Sequence, residues 1–135
     1  MTDRLLATSD LALRWEKVCV DLLERTERFP RTARYSVANR VDNLALDILE
    51  SLTSARFLKG SARISSLRAT NMSLERLRVL LRVAHLRGYL SVAQWVFVVE
   101  SIDHCGRMLG GWLRKETDSP RSFANNQGLS GDESG

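Results

Sequence analysis

Between Pro30 and Pro120, the only two prolines, apolar residues recur every three or four positions with little to interrupt them. That spacing lines up side chains on one face of an α-helix, whereas a strand requires strict alternation. A chain patterned this way is committed to burying helical stripes against one another. Four such segments are legible, and no strand pattern competes with them.

The first segment runs from about Ser9, read as an N-cap, to Arg28, with Leu11, Trp15, Val18, Leu22 and Phe29 on its stripe. It stops at Phe29-Pro30, because the proline ring disfavours α geometry in the residue before it. The second spans Ser36 to Leu58, with Val37, Val41, Leu44, Ile48, Leu52 and Ala55 aligned and Gly60 as its stop. The third covers Ala62 to Arg87, with a loose start expected in the serine-rich "SARISSLRATNMS". Its stripe is Leu67, Leu74, Leu77, Leu81 and Ala84, and Gly88 ends it. Ser91 and Gln94 form a capping-box pair, each side chain placed to satisfy a backbone donor of the other. The fourth helix follows, to about Lys115.

Short connections between helices of similar length predict an all-α, antiparallel up-down four-helix bundle over residues 1–116. The stretch beyond, "DSPRSFANNQGLSGDESG" at its core, has too little apolar content to order itself, so 117–135 is expected to be a disordered tail.

Two helices are more apolar than such a bundle requires. On the third, Val79, Val83 and Leu86 fall on a different side from the main stripe. On the fourth, Val92, Val96, Val99 and Leu109 are read as one face, widened by Trp95, Val98, Cys105 and Trp112. A surface helix in a monomer shows one apolar face. A second apolar face points to self-association, the alternative being a monomer with an unusually apolar core.

The stretch "CGRMLGGWLRK", Cys105 to Lys115, puts three glycines inside the last helix, each costing about 0.8–1.0 kcal/mol relative to alanine. Gly106 and Gly110 are four apart and share a face, where they would let another backbone approach. The helix is therefore expected to continue through Gly110-Gly111, with the glycines and Trp112 at a packing contact.

Net charge is +4 and the isoelectric point lies near 9.6. From Arg63 to Arg87 six arginines (63, 68, 76, 78, 82, 87) face one acid, Glu75. Such an excess can hold phosphates through charge and forked hydrogen bonds, or it can be a solvated helix face. Cys19 and Cys105 lie on apolar stripes and read as reduced, buried thiols. The start "MTDRLLATSD" lacks a secretion pattern, and the longest apolar run, "WVFVV", is far too short to cross a bilayer. A cytoplasmic protein is expected.

No catalytic constellation emerges. His85, His104 and the cysteines lack metal-ligand spacing, and Asp47 with Glu50 lie on one helix without the glutamate-x-x-histidine pattern of di-metal bundles. Phosphate-loop and nucleophile-elbow patterns are missing too. A non-enzyme without cofactor or metal is expected.

Three stretches, "RFPRTARYSVANRV", "LRVLLRVAH" and "GRMLGGWL", resemble Avd, the accessory variability determinant of diversity-generating retroelements. They are similar also to the four-helix proteins of 23S ribosomal RNA intervening sequences. The Avd resemblance implies a basic homopentameric barrel that binds the element's reverse transcriptase and its template-repeat RNA, with cDNA a further ligand. It implies a non-catalytic role in mutagenic cDNA synthesis and retrohoming. It places nucleic-acid or polymerase contacts at Arg31, Arg78, Arg82 and Arg107, although Arg107 can also pair with Asp103 four residues earlier. Subunit packing is expected at Val79, Val83, Trp95, Gly106, Gly110 and Trp112. The competing readings are an intervening-sequence protein with no polymerase partner, and a helical scaffold whose arginines meet acidic protein surfaces.

Overall fold

The computed structural model describes residues 2–118. Each stripe forms a helix: α1 Thr2–Glu27, α2 Asn39–Ala55, α3 Gly60–Leu86 and α4 Val92–Asp118. α1 packs on α2 and α4, and α3 packs on the same two, which is the square of an up-down bundle. The side shared by α1 and α4 therefore lies opposite the side shared by α2 and α3.

The stripes expected on α2 and α3 supply the core, except Val37, which lies ahead of α2 and is half-buried. Val41, Leu44, Ile48, Leu52 and Ala55 are buried from one helix, and Leu67, Leu74, Leu77, Leu81 and Ala84 from the other. On α1, Leu11, Trp15 and Leu22 are buried with Cys19 and Thr26, Val18 of the expected stripe is half-buried, and Phe29 is buried just past the helix end. Trp15 is the largest fully buried side chain. Its Nε1 donates to the carbonyl of Ala45 across the α1–α2 seam at 2.9 Å, and the Cys19 thiol donates to the same oxygen at 3.1 Å.

α4 faces inward differently from the sequence expectation. Its buried line is Val98, Ile102, Cys105 and Leu109, while Val92 and Val96 are exposed. Continued at helical spacing, the Val92–Val96–Val99 row reaches Asp103 and Gly106 rather than Leu109. Only the Val98 row stays apolar for the full length of the bundle.

Three boundaries are corrected. α1 begins at Thr2, so Ser9 is inside it and is not the N-cap; neither proline nor glycine interrupts that segment. α2 ends at Ala55, and Gly60 instead opens α3 with φ of +58°, a left-handed conformation suited to glycine. The serine-rich start of α3 is regular helix, with Thr70 Oγ1 and Ser73 Oγ donating to the carbonyls four residues back. α4 runs through Gly110-Gly111 as expected and continues to Asp118, so Thr117 and Asp118, expected to open the tail, are helical; the rest of that segment lies outside the described residues.

The α3–α4 connection follows the sequence closely. Gly88 has φ of +81°, its N–H bonds to the His85 carbonyl, and the Tyr89 N–H bonds to Ala84, the paired bonds of a Schellman cap. Ser91 N donates to Gln94 Oε1 at 2.9 Å and Gln94 N to Ser91 Oγ at 3.1 Å, completing the capping box. The α1–α2 connection holds more than a turn. After Pro30 comes a 3₁₀ turn, Arg31–Ala33, then a π-helical turn, Arg34–Ala38. Buried Thr26 donates to Asp42 Oδ1 at 2.6 Å, and the other oxygen of Asp42 faces Arg34 at 3.4 Å, which pins this entry to α1.

Burial pushes the Cys19 thiol from 9.0 up to about 12, and Cys105 is raised for the same reason. Both thiols are free and buried. Neither is expected to react with a thiol reagent at pH 8 until the chain unfolds, and labelling before and after urea checks this. Because the folded Cys19 pKa lies above the unfolded one, its contribution to stability is intact below pH 9. It is lost as pH rises from 9 towards 12.

Candidate functional site

The arginines separate into those that hold the bundle together and those left for a partner. Arg63 belongs to the first group. Its Nε and Nη2 donate to the Ala55 and Arg56 carbonyls at 3.0 and 2.8 Å, and Nη1 meets Glu116 at 2.7 Å. It thereby caps the C-terminal end of α2, where carbonyls lack intrahelical donors, and ties that end to α4.

Arg78 also faces inward. Its Nε donates to Asp103 Oδ1 at 2.8 Å, its Nη1 pairs with Glu75, and its side chain is 23% exposed. The guanidinium lies over Gly106, where an added Cβ would come within 3.0 Å of Nη2. Gly106 therefore makes room for an α3 side chain across the α3–α4 seam. Arg82, one turn further on, is exposed, and so is Arg107, whose expected partner Asp103 is taken by Arg78. Among the described residues neither Arg82 nor Arg107 has an acid within ion-pair distance. Arg78 and Arg82 thus leave the same side of α3 in different electrostatic states. One is largely neutralised and the other is open to a ligand.

Arg31 sits at the end of the bundle, exposed, in a shallow pocket with Thr26, Glu27, Phe29, Pro30, Arg34 and Tyr35. Arg28, which sequence reasoning did not single out, and Arg87, the last of the six arginines counted along the third segment, are exposed at the same end. Tyr35 was missed too, and at 92% exposure it is the least covered large apolar side chain among the described residues. Its only sequence signal was its place in the stretch "RFPRTARYSVANRV".

The six residues expected at subunit contacts divide similarly. Val79 and Val83 are exposed on α3, with Met72 and Leu86. Trp95 is half-buried within its own chain, stacked on His85 with ring centroids 4.5 Å apart. Trp112 is half-buried too, its Nε1 donating to Glu116 at 3.3 Å and its ring 5.7 Å from the Arg63 guanidinium. Gly110 meets only Arg114 of its own helix, 3.6 Å from a built Cβ.

Two open grooves lie on opposite sides of the square. The α2–α3 groove is lined by Arg40, Asn43, Leu44, Asp47, Arg76, Val79 and Leu80, two cations against one acid. The α1–α4 groove holds exposed Leu13 and Phe97 among Asp10, Glu16 and Glu100, with Arg14 and Lys17, three acids against two cations. Apolar patches of this kind, rimmed by charge, mark association surfaces on soluble proteins. Among the described residues no group of three or more histidines, cysteines, aspartates or glutamates could hold a metal, and no helix is long and apolar enough to cross a membrane.

A Gly110→Ala substitution separates two roles for the glycine. In an isolated subunit the added methyl meets only the mobile end of Arg114, so the gain in helix propensity, about 1 kcal/mol, raises the melting temperature. If Gly110 instead lines a subunit contact, the same change lowers the oligomer mass in light scattering.

A family model described as bAvd-like matches residues 11–116. Neither the curated proteins nor the solved structures contain a significant match.

Proposed function

Because this chain belongs to the bAvd-like family, we propose that it is the non-catalytic accessory protein of a diversity-generating retroelement. In this reading it binds the element's reverse transcriptase and template-repeat RNA and supports synthesis of mutagenised cDNA for retrohoming. The family match over nearly the whole bundle carries the reading. Exposed Arg31, Arg82 and Arg107 support it, since guanidinium groups with no acid within ion-pair distance among the described residues suit phosphates and carboxylates.

The working form is a homopentameric ring. Two features support a ring: an apolar groove on each of two opposite sides, and the opposite balance of charge in those grooves. A contact between two different faces is heterologous, and copies joined that way close into a ring or grow without end. In the ring the α2–α3 side of one subunit seats on the α1–α4 side of the next. Arg82 and Arg107 then repeat around the belt as a positive field for the polymerase and its RNA.

The test is reconstitution with the polymerase and template of the same element. The polymerase is expected to copurify with the chain and to extend cDNA across the template only in its presence. Arg82→Glu with Arg107→Glu is expected to reduce copurification at least tenfold while leaving the oligomer mass unchanged. Equal cDNA yield with and without the chain would overturn the proposal.

A further inference from the structure

The α1–α2 and α3–α4 connections meet at one end of the bundle, joined by Phe29 against Tyr89 with ring centroids 5.4 Å apart. Residues 27–38 and 86–92, which form these connections, contain four arginines and one acid, Glu27. Arg34 is paired with Asp42. Arg28, Arg31 and Arg87 are exposed and have no acid within ion-pair distance among the described residues. Arg87 is steadied by Tyr89, whose hydroxyl accepts from its Nε at 3.4 Å and whose ring centroid lies 5.8 Å away.

Tyr35 lines one pocket at this end with Arg31 and Arg34, its ring almost wholly in solvent. A tyrosine ring so exposed offers its face to a flat partner. The π-helical turn places it there, and such turns occur disproportionately at functional sites.

We propose that this end of the bundle is a docking platform for single-stranded RNA, with Tyr35 stacking a base and Arg28, Arg31 and Arg87 holding flanking phosphates. The proposal rests on the reading that the protein works with RNA, and it assigns that role to the bundle end rather than to the α3 face. A stacking ring combined with unpaired cations is the chemistry of single-strand binding. In an A-form duplex the bases are stacked on one another and their faces are closed to a side chain. An acidic protein surface would use the cations and leave the ring idle.

Fluorescence anisotropy of the full chain with a labelled single-stranded RNA of about twelve nucleotides, across a salt series, tests the platform. Tyr35→Ala is expected to weaken binding about 5- to 100-fold at constant salt slope, and Tyr35→Trp to restore it. Arg31→Ala with Arg87→Ala is expected to flatten the slope of log affinity against log salt by about 1.4, two phosphates at about 0.7 each. All three variants should keep the melting temperature of the parent, since the altered side chains are exposed. Parent-like affinity and slope in the variants would overturn the platform while leaving RNA binding by the protein intact. Polyglutamate binding with the same loss on Tyr35→Ala would also overturn it, in favour of an acidic protein. A parent chain that binds no RNA at low salt would remove the RNA half of the functional reading together with the platform; copurification with the polymerase would remain as the separate test of the other half.

Discussion

A Val79→Asp subunit is expected to remain folded and to lose the proposed ring. Val79 is 62% exposed on α3 and lines the α2–α3 groove, so the change disturbs nothing inside the bundle. At a closed interface it leaves a desolvated, unpaired carboxylate, which costs about 3–5 kcal/mol. That is about two to nearly four orders of magnitude in affinity at every interface of the proposed ring. Light scattering should find a monomer at micromolar concentration. Phe97→Asp, in the opposite groove, should do the same. The mixture of the two variants is the sharper test. Each retains one intact face, and the two intact faces are complementary, so a one-to-one heterodimer should form and grow no further. If copies instead paired through one self-complementary face, assembly would stop at a dimer, and the variant altered in the opposite groove would keep the parent mass. A parent-sized assembly in Val79→Asp alone would remove the groove from the interface, and a monomeric parent would remove the ring.

The second large effect lies in the core. Trp15→Ala should lower stability by about 3–5 kcal/mol, the cost of emptying a large aromatic site in a close-packed interior. Against a total of about 5–15 kcal/mol that is enough to leave a population unfolded at physiological temperature. Trp15→Phe keeps most of the volume but loses the donor to the Ala45 carbonyl. The Cys19 thiol still donates to that oxygen, so this variant should lose only about 1–2 kcal/mol. Adding Cys19→Ala removes the second donor, and the double variant should lose more than the sum of the singles. Urea unfolding at fixed protein concentration measures all three, because assembly itself shifts the midpoint. A loss below 1 kcal/mol in Trp15→Ala would show that the site collapses around the missing ring.

What the sequence made legible was the part of the structure governed by local spacing. The buried stripes of α2 and α3, the glycine cap at Gly88 and the Ser91–Gln94 box all depend on residues within one or two turns of each other. The continuation of α4 through Gly110-Gly111 belongs here too, since two glycines weaken a helix less than its packed neighbours Leu109 and Trp112 support it. α4 was harder. With apolar residues on two sides of one helix, periodicity alone did not say which side the other helices would cover. The candidate site was less legible than the fold for a related reason. Whether an arginine is free depends on acids distant in sequence, as Arg78 shows with Asp103 and Arg63 with Glu116. Arg82 and Arg107 share the residue type and the helical setting of Arg78, and differ only in what the fold brings alongside. The entry at Arg34–Ala38 carried no local signal, because alanine, valine and serine fit an α and a π turn equally well.

That π turn also sets how much freedom the chain has to change. A π turn carries one residue more than the α-helical path it replaces. Elsewhere in the helices, deleting one residue would rotate everything beyond it by about 100° and turn the buried stripe towards water. Within Arg34–Ala38 the deletion can be absorbed by reverting to α-helix, and Val41, Leu44 and Ile48 keep their place in the core. The bearing of Tyr35 is therefore adjustable independently of the interior. The outer end of the molecule can be retuned by length as well as by composition, while the bundle beneath it stays in phase.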